Sequence, residues 1–278
     1  QVRLHHSVPI CCLPGCTFCS FAHMVCSRVG DGPLICTFLV PPVSYDYSWN
    51  MFRCIGDYLH LFGVIVVLGT LYKNKSCRGI SRGTHILFLG VFASRYLDLF
   101  YYRQSQYLVV FKLTYMITAC LVLAVFWKLD HTYERKKDTC SLMVLLMPCV
   151  AAALLLAQDY TIIEVMWSFS QFLEGVAMVP QYIFCYRGTG ANDIGVALSV
   201  MSLGGYRLFY VANWVRKRVQ SPEYFDAISW IGGFVEISFF FDYLLSIFTG
   251  ASLLKSVVLK VDKKVIELPR GFLCLDVV

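Results

Sequence analysis

The sequence predicts an all-α membrane protein that crosses the bilayer several times. Of its 278 residues, 58% are hydrophobic and only 15% are charged, and the mean hydropathy is +0.62. Soluble domains average about 25% charged residues, so this composition is far from theirs. The same figures exclude a disordered chain and a purely nucleic-acid-binding domain, because both need more charge and fewer apolar side chains.

Seven apolar stretches are long enough to cross a hydrocarbon core of about 30 Å. None of them alternates in the manner of a membrane β-strand, and a helix satisfies its own backbone hydrogen bonds inside lipid. We therefore predict seven transmembrane helices with short polar connections. Their approximate bounds are 54–72, 85–102, 107–127, 141–157, 161–186, 194–215 and 227–249.

Basic residues near the predicted helix ends indicate the orientation, because lysine and arginine accumulate in cytosolic loops. One set of loops, together with the tail, carries fourteen: Lys73, Lys75, Arg78, Arg82, Lys128, Arg135, Lys136, Lys137, Arg187, Lys255, Lys260, Lys263, Lys264 and Arg270. The opposite set carries four: Arg103, Arg216, Lys217 and Arg218. The N-terminus of the helical domain is thus predicted to be luminal or external, and the C-terminus cytosolic.

The first fifty residues do not follow the helical pattern. They contain six of the thirteen cysteines, and Cys16 and Cys19 form one CxxC pair without a second half at metal-binding spacing. We therefore predict no metal site. Pro, Cys and His interrupt the segment too often for a signal peptide or an eighth span. We expect residues 1–50 to be a disordered extension or a gene-prediction artefact, residues 51–255 the seven-helix domain, and residues 256–278 a cytosolic tail.

Ionisable side chains inside the predicted spans identify the candidate site, since such residues are costly in lipid and usually face a bundle interior. Arg53, Asp57 and His60 share one face of the first helix, and Arg95 and Asp98 share a face of the second. The fifth and sixth helices carry further stripes: Glu164, Trp167, Gln171 and Glu174, then Tyr206, Tyr210, Asn213 and Lys217, with Arg207, Trp214 and Arg218 adjoining. For any one of these residues, snorkelling or internal pairing is an equally good explanation.

Three deeply placed arginines, Arg53, Arg95 and Arg207, exceed what internal pairing obviously requires. Guanidinium binds carboxylates bidentately and stays charged, so the excess indicates an anionic ligand. Glu164 beside Trp167 suits a cationic group on the same ligand, through ion pairing and cation–π contact. The pattern therefore predicts a short peptide with several carboxylates and one amine.

Short motifs follow one another along this region in a fixed order. They are FRCIGDYLH at 52–60, GIS at 79–81, RYLDLF at 95–100, EVMW at 164–167, LE at 173–174, PQ at 180–181, YRLFY at 206–210, NW at 213–214 and FD at 225–226. With these motifs, residues 51–270 resemble the ER lumen protein-retaining receptors, the KDEL receptor family, which retrieve escaped ER residents from the Golgi. The resemblance covers about four-fifths of the chain.

The resemblance implies a fold similar to the SWEET and PQ-loop transporters, with two three-helix repeats joined by a linking helix. It also implies that the three arginines receive the acidic C-terminal tetrapeptide of the cargo, while Glu164 and Trp167 receive its first, basic residue. The other positions that it places in the signal site are Tyr96, Asp98, Tyr210, Asn213, Trp214 and Lys217. Lys217 departs from the family, which usually has arginine there, and Arg216 is the other candidate for that contact.

By the same resemblance, His60 corresponds to the family's pH-sensing histidine, and Glu174 with Tyr206 corresponds to a pair that locks the bound state. Asp242 corresponds to an aspartate implicated in recycling. Lys263 and Lys264 occupy the place of the family's lysine signal, although cytosolic anchoring explains them equally well.

The sequence as a whole therefore predicts a pH-dependent receptor that binds the KDEL- or HDEL-type C-terminal signal of luminal ER proteins in the Golgi and returns them to the ER. Expected partners are those signals, membrane lipid and, at the tail, the COPI coat, with no nucleic acid and no cofactor. The expected location is the ER, the Golgi and COPI-coated vesicles. An enzyme is not predicted, because no nucleophile, metal triad or phosphate loop accompanies Asp98 and Glu164. The alternative is a small-solute transporter of the same fold, although a neutral sugar has no use for three arginines.

Overall fold

The computed structural model of the chain describes residues 23–27, 35–39, 50–101, 104–187, 193–223 and 225–267. These residues belong to two units, a small one that contains a β-hairpin and a larger helical one. In the hairpin, β1 (His23–Ser27) pairs antiparallel with β2 (Ile35–Leu39), and Cys26 lies opposite Cys36. The hairpin lies within residues 1–50, which we expected to be a disordered extension or a gene-prediction artefact. Cys16 and Cys19 lie outside the described residues, and the three-part division of the chain stays a prediction.

The helical unit contains nine α-helices among the described residues. They are α1 (Met51–Asn74), α2 (Arg82–Arg95), α3 (Gln106–Lys128), α4 (Leu142–Leu156), α5 (Ile162–Ala177), α6 (Val179–Arg187), α7 (Ile194–Gln220), α8 (Ala227–Thr249) and α9 (Leu253–Glu267). Two short 3-10 helices follow α2 and α3, at Tyr96–Phe100 and Asp130–Thr132. The all-α prediction is confirmed for this unit.

Within the part of the chain that the structure describes, five helical segments are long and apolar enough to cross a membrane: α1, α3, α5 with α6, α7 and α8. The second and fourth predicted spans are shorter helices, of 14 residues in α2 and 15 in α4. The fifth predicted span is interrupted at Met178, two residues before Pro180, whose ring and missing N–H disfavour an unbroken helix. The helix α9 was not predicted, and it occupies much of the segment that we assigned to the tail.

Glycine allows α5 and α8 to approach closely at the centre of the unit. A Cβ atom on Gly232 would lie 2.6 Å from the carbonyl oxygen of Gln171, and one on Gly175 would lie 2.9 Å from the carbonyl oxygen of Gly232. Real Cβ contacts are longer, so only glycine fits at these two positions. Glu236 lies one helical turn after Gly232, and it is therefore held against the side of α5 that carries Glu174.

The remaining packing places four helices around the polar side chains. The helix α1 packs along α7, which also packs against α8, and α2 packs against α5, so that both pairs border the contact between α5 and α8. Apolar side chains on the outer surfaces are exposed, as lipid-facing residues are in a membrane protein. On α3 these are Val110, Leu113, Ile117 and Leu121, and on α8 they are Phe234, Phe241, Leu245 and Phe248.

The Pro180-Gln181 pair ties α6 to the connection between α1 and α2. The Gln181 side chain accepts a hydrogen bond from the Ser81 backbone N–H at 2.8 Å and donates one to the Gly79 carbonyl at 2.9 Å. Its own backbone N–H donates to Thr84 Oγ1 at 3.0 Å. Gln181 therefore satisfies backbone groups that would otherwise be buried without partners, which is a structural reason for glutamine at this position.

Candidate functional site

The first polar cluster forms around Asp57, which is buried on the inner face of α1. Its carboxylate accepts hydrogen bonds from the Tyr107 hydroxyl at 3.0 Å and from the Tyr210 hydroxyl, and Arg53 lies 4.0 Å away, one turn earlier. The Tyr115 hydroxyl donates a hydrogen bond to the backbone carbonyl of Asp57 at 2.7 Å. Side chains of α3 and α7 therefore hold the carboxylate that the sequence placed beside Arg53.

A second cluster centres on Glu174, which is buried on α5. Its Oε1 accepts a hydrogen bond from the Tyr206 hydroxyl at 2.6 Å. Its Oε2 lies 2.6 Å from Arg95 Nη2 and 2.8 Å from Arg207 Nη1. Arg95 Nε also donates to Ser170 Oγ at 3.0 Å. One carboxylate thus joins the arginines of α2 and α7, and the predicted pairing of Glu174 with Tyr206 is present as a direct hydrogen bond.

Arg207 is the most enclosed of the three arginines, with 2% of its side chain exposed. Besides Glu174, it donates from Nη2 to Gln171 Oε1 at 3.1 Å. Its Nε lies 3.1 Å from Oε2 of Glu236, a side chain of α8 that is 1% exposed. We did not single out Glu236 from the sequence. An acidic residue in the middle of a predicted span was the signal that would have identified it, since intramembrane carboxylates rarely lack a function or a partner.

These contacts correct one step of the sequence argument. We expected the arginines to exceed the carboxylates available for internal pairing, and that expectation is wrong: Arg53 pairs with Asp57, while Arg95 and Arg207 share Glu174, and Arg207 also pairs with Glu236. The partners of Arg95 and Arg207 come from α5 and α8, and spacing along a single helix does not display such pairs. The ligand-binding role of the arginines stays a prediction.

The predicted stripe on α7 divides into packing residues and polar residues. The Arg207 guanidinium lies 5.2 Å from the centroid of the Trp214 ring and 5.8 Å from that of Tyr210, at cation–π distances. Buried Asn213 accepts a 2.6 Å hydrogen bond from Asn50, the N-cap residue of α1. Lys217 is half-buried, and its positive charge is close enough to Arg53 for the two cations to repel each other. Arg216 is exposed. The inward-facing cation is therefore Lys217.

Glu164 and Trp167 lie at the other end of the α5 stripe. Glu164 is in the first turn of the helix, where its backbone N–H donates to the Thr161 hydroxyl, and it is half-buried. The negative charges of Asp159 and Asp226 are close enough to repel that of Glu164, so three acidic side chains are grouped in one region. Trp167 is half-buried and packs against the core. Ten residues along a helix separate Glu164 from Glu174, a distance of about 15 Å.

Tyr96 and Asp98 lie in the 3-10 helix after α2, and both approach a lysine that we had not predicted. Lys112 Nζ lies 2.6 Å from Asp98 Oδ2 and 5.4 Å from the centroid of the Tyr96 ring. Tyr96 is buried, and the ion pair is half-buried. Asp98 is thus the counter-ion of Lys112, although we had placed it on the same helix face as Arg95.

No group of three or more His, Cys, Asp or Glu side chains is placed to hold a metal ion in the part of the chain that the structure describes. Outside the spans, the Tyr133 hydroxyl donates to Asp138, whose carboxylate also accepts from Ser81 Oγ at 2.9 Å. Burial and the neighbouring Asp138 carboxylate raise the pKa of Tyr133 above its ordinary value. This phenol therefore stays protonated and joins the loop before α4 to the start of α2.

Comparison with known proteins identifies the family of this chain. A family model described as ER lumen protein retaining receptor matches residues 76–217. ER lumen protein-retaining receptor 3 of Mus musculus is 40% identical over 195 residues, which cover 70% of this chain and 90% of that receptor. The chain belongs to the ER lumen protein-retaining receptor family. The receptor erd-2.2 of Caenorhabditis elegans is 37% identical over 70% of the chain and 91% of its own length, and the Drosophila melanogaster receptor is 36% identical over 73% and 98%.

In this family member, four aromatic rings surround the imidazole of His60. It is buried on α1, and its ring centroid lies 4.6 Å from that of Tyr206, 4.9 Å from Tyr115, 5.3 Å from Phe88 and 5.7 Å from Phe92. Its Nε2 atom has no hydrogen-bond partner among the described residues. Tyr206 therefore contacts His60 with its ring and Glu174 with its hydroxyl, and it connects the two groups that we predicted to sense pH and lock the ligand.

Asp242 caps the helix that bears the two tail lysines. Its carboxylate accepts hydrogen bonds from the Leu253 and Leu254 backbone N–H groups at 2.8 Å and 3.1 Å, and from the Ser252 hydroxyl at 2.6 Å. An acceptor at a helix N-terminus satisfies otherwise unpaired N–H groups. Asp242 thereby fixes the start of α9 to the end of α8. The backbone positions of Lys263 and Lys264 fall in the last turns of α9.

Proposed function

We propose that this protein binds the C-terminal KDEL- or HDEL-type signal of luminal ER proteins in the Golgi and returns them to the ER. The proposal is carried by the joined charge network in which Arg95 and Arg207 meet at Glu174, next to Arg53 with Asp57. Guanidinium groups held in a partly dry helix bundle suit peptide carboxylates, and membership of a family of retention receptors supports the same ligand. This role is that of a receptor and involves no catalysis.

The acidic region at the start of α5 supports the polarity of the bound peptide. Glu164, Asp159 and Asp226 act on one place, and Trp167 lies one turn after Glu164, so this end suits the basic first residue of the signal. The C-terminal carboxylate is then directed to the arginines about 15 Å away. An extended tetrapeptide spans about 13 to 14 Å, so its two ends match the two regions.

A binding experiment with two peptides tests this arrangement. A peptide that ends in the free carboxylate should bind to the purified protein, and the same peptide with an amidated C-terminus should bind far more weakly. Equal binding of the two peptides would contradict capture of the carboxylate by the arginines. A third peptide, with its basic first residue replaced by an acidic one, examines the region of Glu164 separately.

The membrane architecture that fits this role has seven spans in two three-helix repeats. The 14 residues of α2 rise about 21 Å, and the 3-10 helix after it adds about 10 Å, so together they reach the thickness of the hydrocarbon core. The 15 residues of α4 rise about 22 Å, which suits a linking helix that crosses with local thinning of the bilayer. The basic loops put the C-terminus in the cytosol, and accessibility labelling of single cysteines introduced at 137 and 223 tests this orientation.

The pH dependence of the proposed receptor involves His60. Protonation of a histidine enclosed by four aromatic rings requires a nearby anion. Glu174 is the anion that acts on His60, whereas the positive charges of Arg95 and Arg207 oppose its protonation. Entry of a peptide carboxylate adds negative charge to that set. By linkage, the bound state then holds the proton more tightly, so binding strengthens as pH falls from ER to Golgi values.

The return to the ER involves the tail helix. Lys263 and Lys264 are consecutive residues of α9, and we propose that they contact a vesicle coat such as COPI. The transporter alternative has less support, because the charge network suits an anionic ligand and the relatives are named as retention receptors.

A further inference from the structure

The buried ionic cluster around Arg207 has no net charge when all of its members are ionised. Arg95 and Arg207 contribute two positive charges, and Glu174 and Glu236 contribute two negative ones. The neighbouring pairs Arg53 with Asp57 and Lys112 with Asp98 are likewise balanced. A peptide carboxylate that binds at Arg207 therefore adds a negative charge that none of the four members of this cluster compensates, which is strongly unfavourable at a buried site unless a proton or another cation accompanies it.

The two carboxylates of the cluster differ in how firmly they are held. Glu174 contacts two guanidinium groups through Oε2 and the Tyr206 hydroxyl through Oε1, at 2.6 to 2.8 Å. Glu236 contacts one guanidinium, through Oε2 at 3.1 Å, and Tyr206 is its other polar partner. Neutralising Glu174 would remove the counter-ion common to both arginines, whereas neutralising Glu236 leaves that pairing intact.

The surroundings of Glu236 also favour its neutral form once a second anion reaches Arg207. Among the described residues, the charged and titratable groups that face it are Arg207 and Tyr206 from α7, Glu174 from α5, Arg95 from α2 and Tyr182 from α6. One of these is already an anion. A ligand carboxylate at Arg207 would raise the number of nearby anions to two, and like charges in a shared buried site cannot all stay ionised.

We propose that Glu236 takes up a proton from solvent when a ligand carboxylate binds at Arg207, and that it thereby sets the affinity and part of the pH dependence of the receptor. This inference rests on the proposed function. The proton is added to a Glu236 carboxylate oxygen, the contact between Oε2 and Arg207 Nε weakens, and the freed N–H donates to the ligand carboxylate. The proton leaves hydronium or a buffer acid in the solvent, and within the protein and the ligand no covalent bond other than the new O–H forms or breaks.

The expected consequences have a definite sign. If the bound state holds one proton more than the free state, affinity rises as pH falls, by about tenfold per pH unit over the range in which that proton is taken up. Glu236→Gln keeps the shape of the side chain and is permanently neutral. It should therefore bind the signal peptide more tightly than the parent at neutral pH, and its pH dependence should be less steep by one proton.

The test is calorimetric titration of a free-carboxylate signal peptide, carried out in two buffers with different ionisation enthalpies so that the protons taken up are counted. The parent should take up one proton more than Glu236→Gln on peptide binding. His60→Ala should still take up the proton that we assign to Glu236. Equal proton counts and equal affinities in the parent and Glu236→Gln would overturn the inference. Failure of the parent to bind, or equal binding of the amidated peptide, would instead count against the proposed function.

A measurement on the parent alone guards against a variant that does not fold. Infrared difference spectra, recorded on peptide addition near neutral pH, should show a new C=O stretch of a protonated carboxyl group in a dry environment. That band should appear with the free-carboxylate peptide and not with the amidated one. Absence of the band in a parent that binds the peptide would refute proton uptake by Glu236.

Discussion

Replacement of Arg95 by alanine separates ligand binding from folding in this receptor. Arg95 is 18% exposed, and it contacts Glu174 Oε2 at 2.6 Å and Ser170 Oγ at 3.0 Å. When it is removed, Glu174 keeps Arg207 and Tyr206 as partners, so the loss of stability should fall below the roughly 3 to 5 kcal/mol that follows when a buried charge is left alone. The protein should therefore still fold and insert.

Binding should suffer much more. When a ligand carboxylate loses a desolvated cationic partner, the binding free energy weakens by about 2 to 5 kcal/mol. This loss corresponds to an affinity lower by about 30-fold to several thousand-fold. The assay is titration of a fluorescent signal peptide into detergent-solubilised receptor, with thermal unfolding measured in parallel. Arg187→Ala is a matched control, because Arg187 also forms a 2.6 Å ion pair, with Asp262 of α9, and lies outside the ionic cluster. Unchanged peptide affinity in Arg95→Ala would refute the assignment of the arginines to the ligand.

Three further outcomes are expected. His60→Ala should bind the signal peptide with a flatter dependence on pH than the parent, and an equally steep dependence in both would assign the sensor to other groups. Replacement of Lys263 and Lys264 by serine should leave peptide affinity intact and strand the protein in the Golgi, as seen by fluorescence microscopy; an unchanged distribution would reduce these lysines to topological anchors. Asp242→Ala should weaken the start of α9 by about 1 kcal/mol and speed amide hydrogen exchange at Leu253 and Leu254, whereas unaltered exchange there would contradict the capping role.

Much of the candidate site was predictable because helical periodicity groups residues of one helix on one face. Arg53, Asp57 and His60 do lie together on α1, and the α5 and α7 stripes meet at the pair of Glu174 and Tyr206. Spacing within a helix is a local property of the chain, so the sequence displays it directly. The departure from the usual arginine at Lys217 was also visible, although only the structure assigned the inward position to Lys217 and the exposed one to Arg216.

Partners on different helices were not predictable in the same way. Glu236 is 62 residues from Glu174, and nothing in the spacing of either residue indicates that Arg207 lies between them. The same holds for Lys112 with Asp98, and for the Asp242 carboxylate at the start of α9.

The sequence by itself determined that this is a helical membrane protein of the retention-receptor family, since apolar length and local motifs are properties of contiguous residues. Only the tertiary structure decided that Arg95 and Arg207 also have internal carboxylate partners, Glu174 and Glu236. The physical reason is packing: glycines at 175 and 232 bring α5 and α8 into backbone contact, and this close approach places Glu236 beside Arg207. Charge balance inside the bundle depends on such approaches between helices, and no window of sequence contains them.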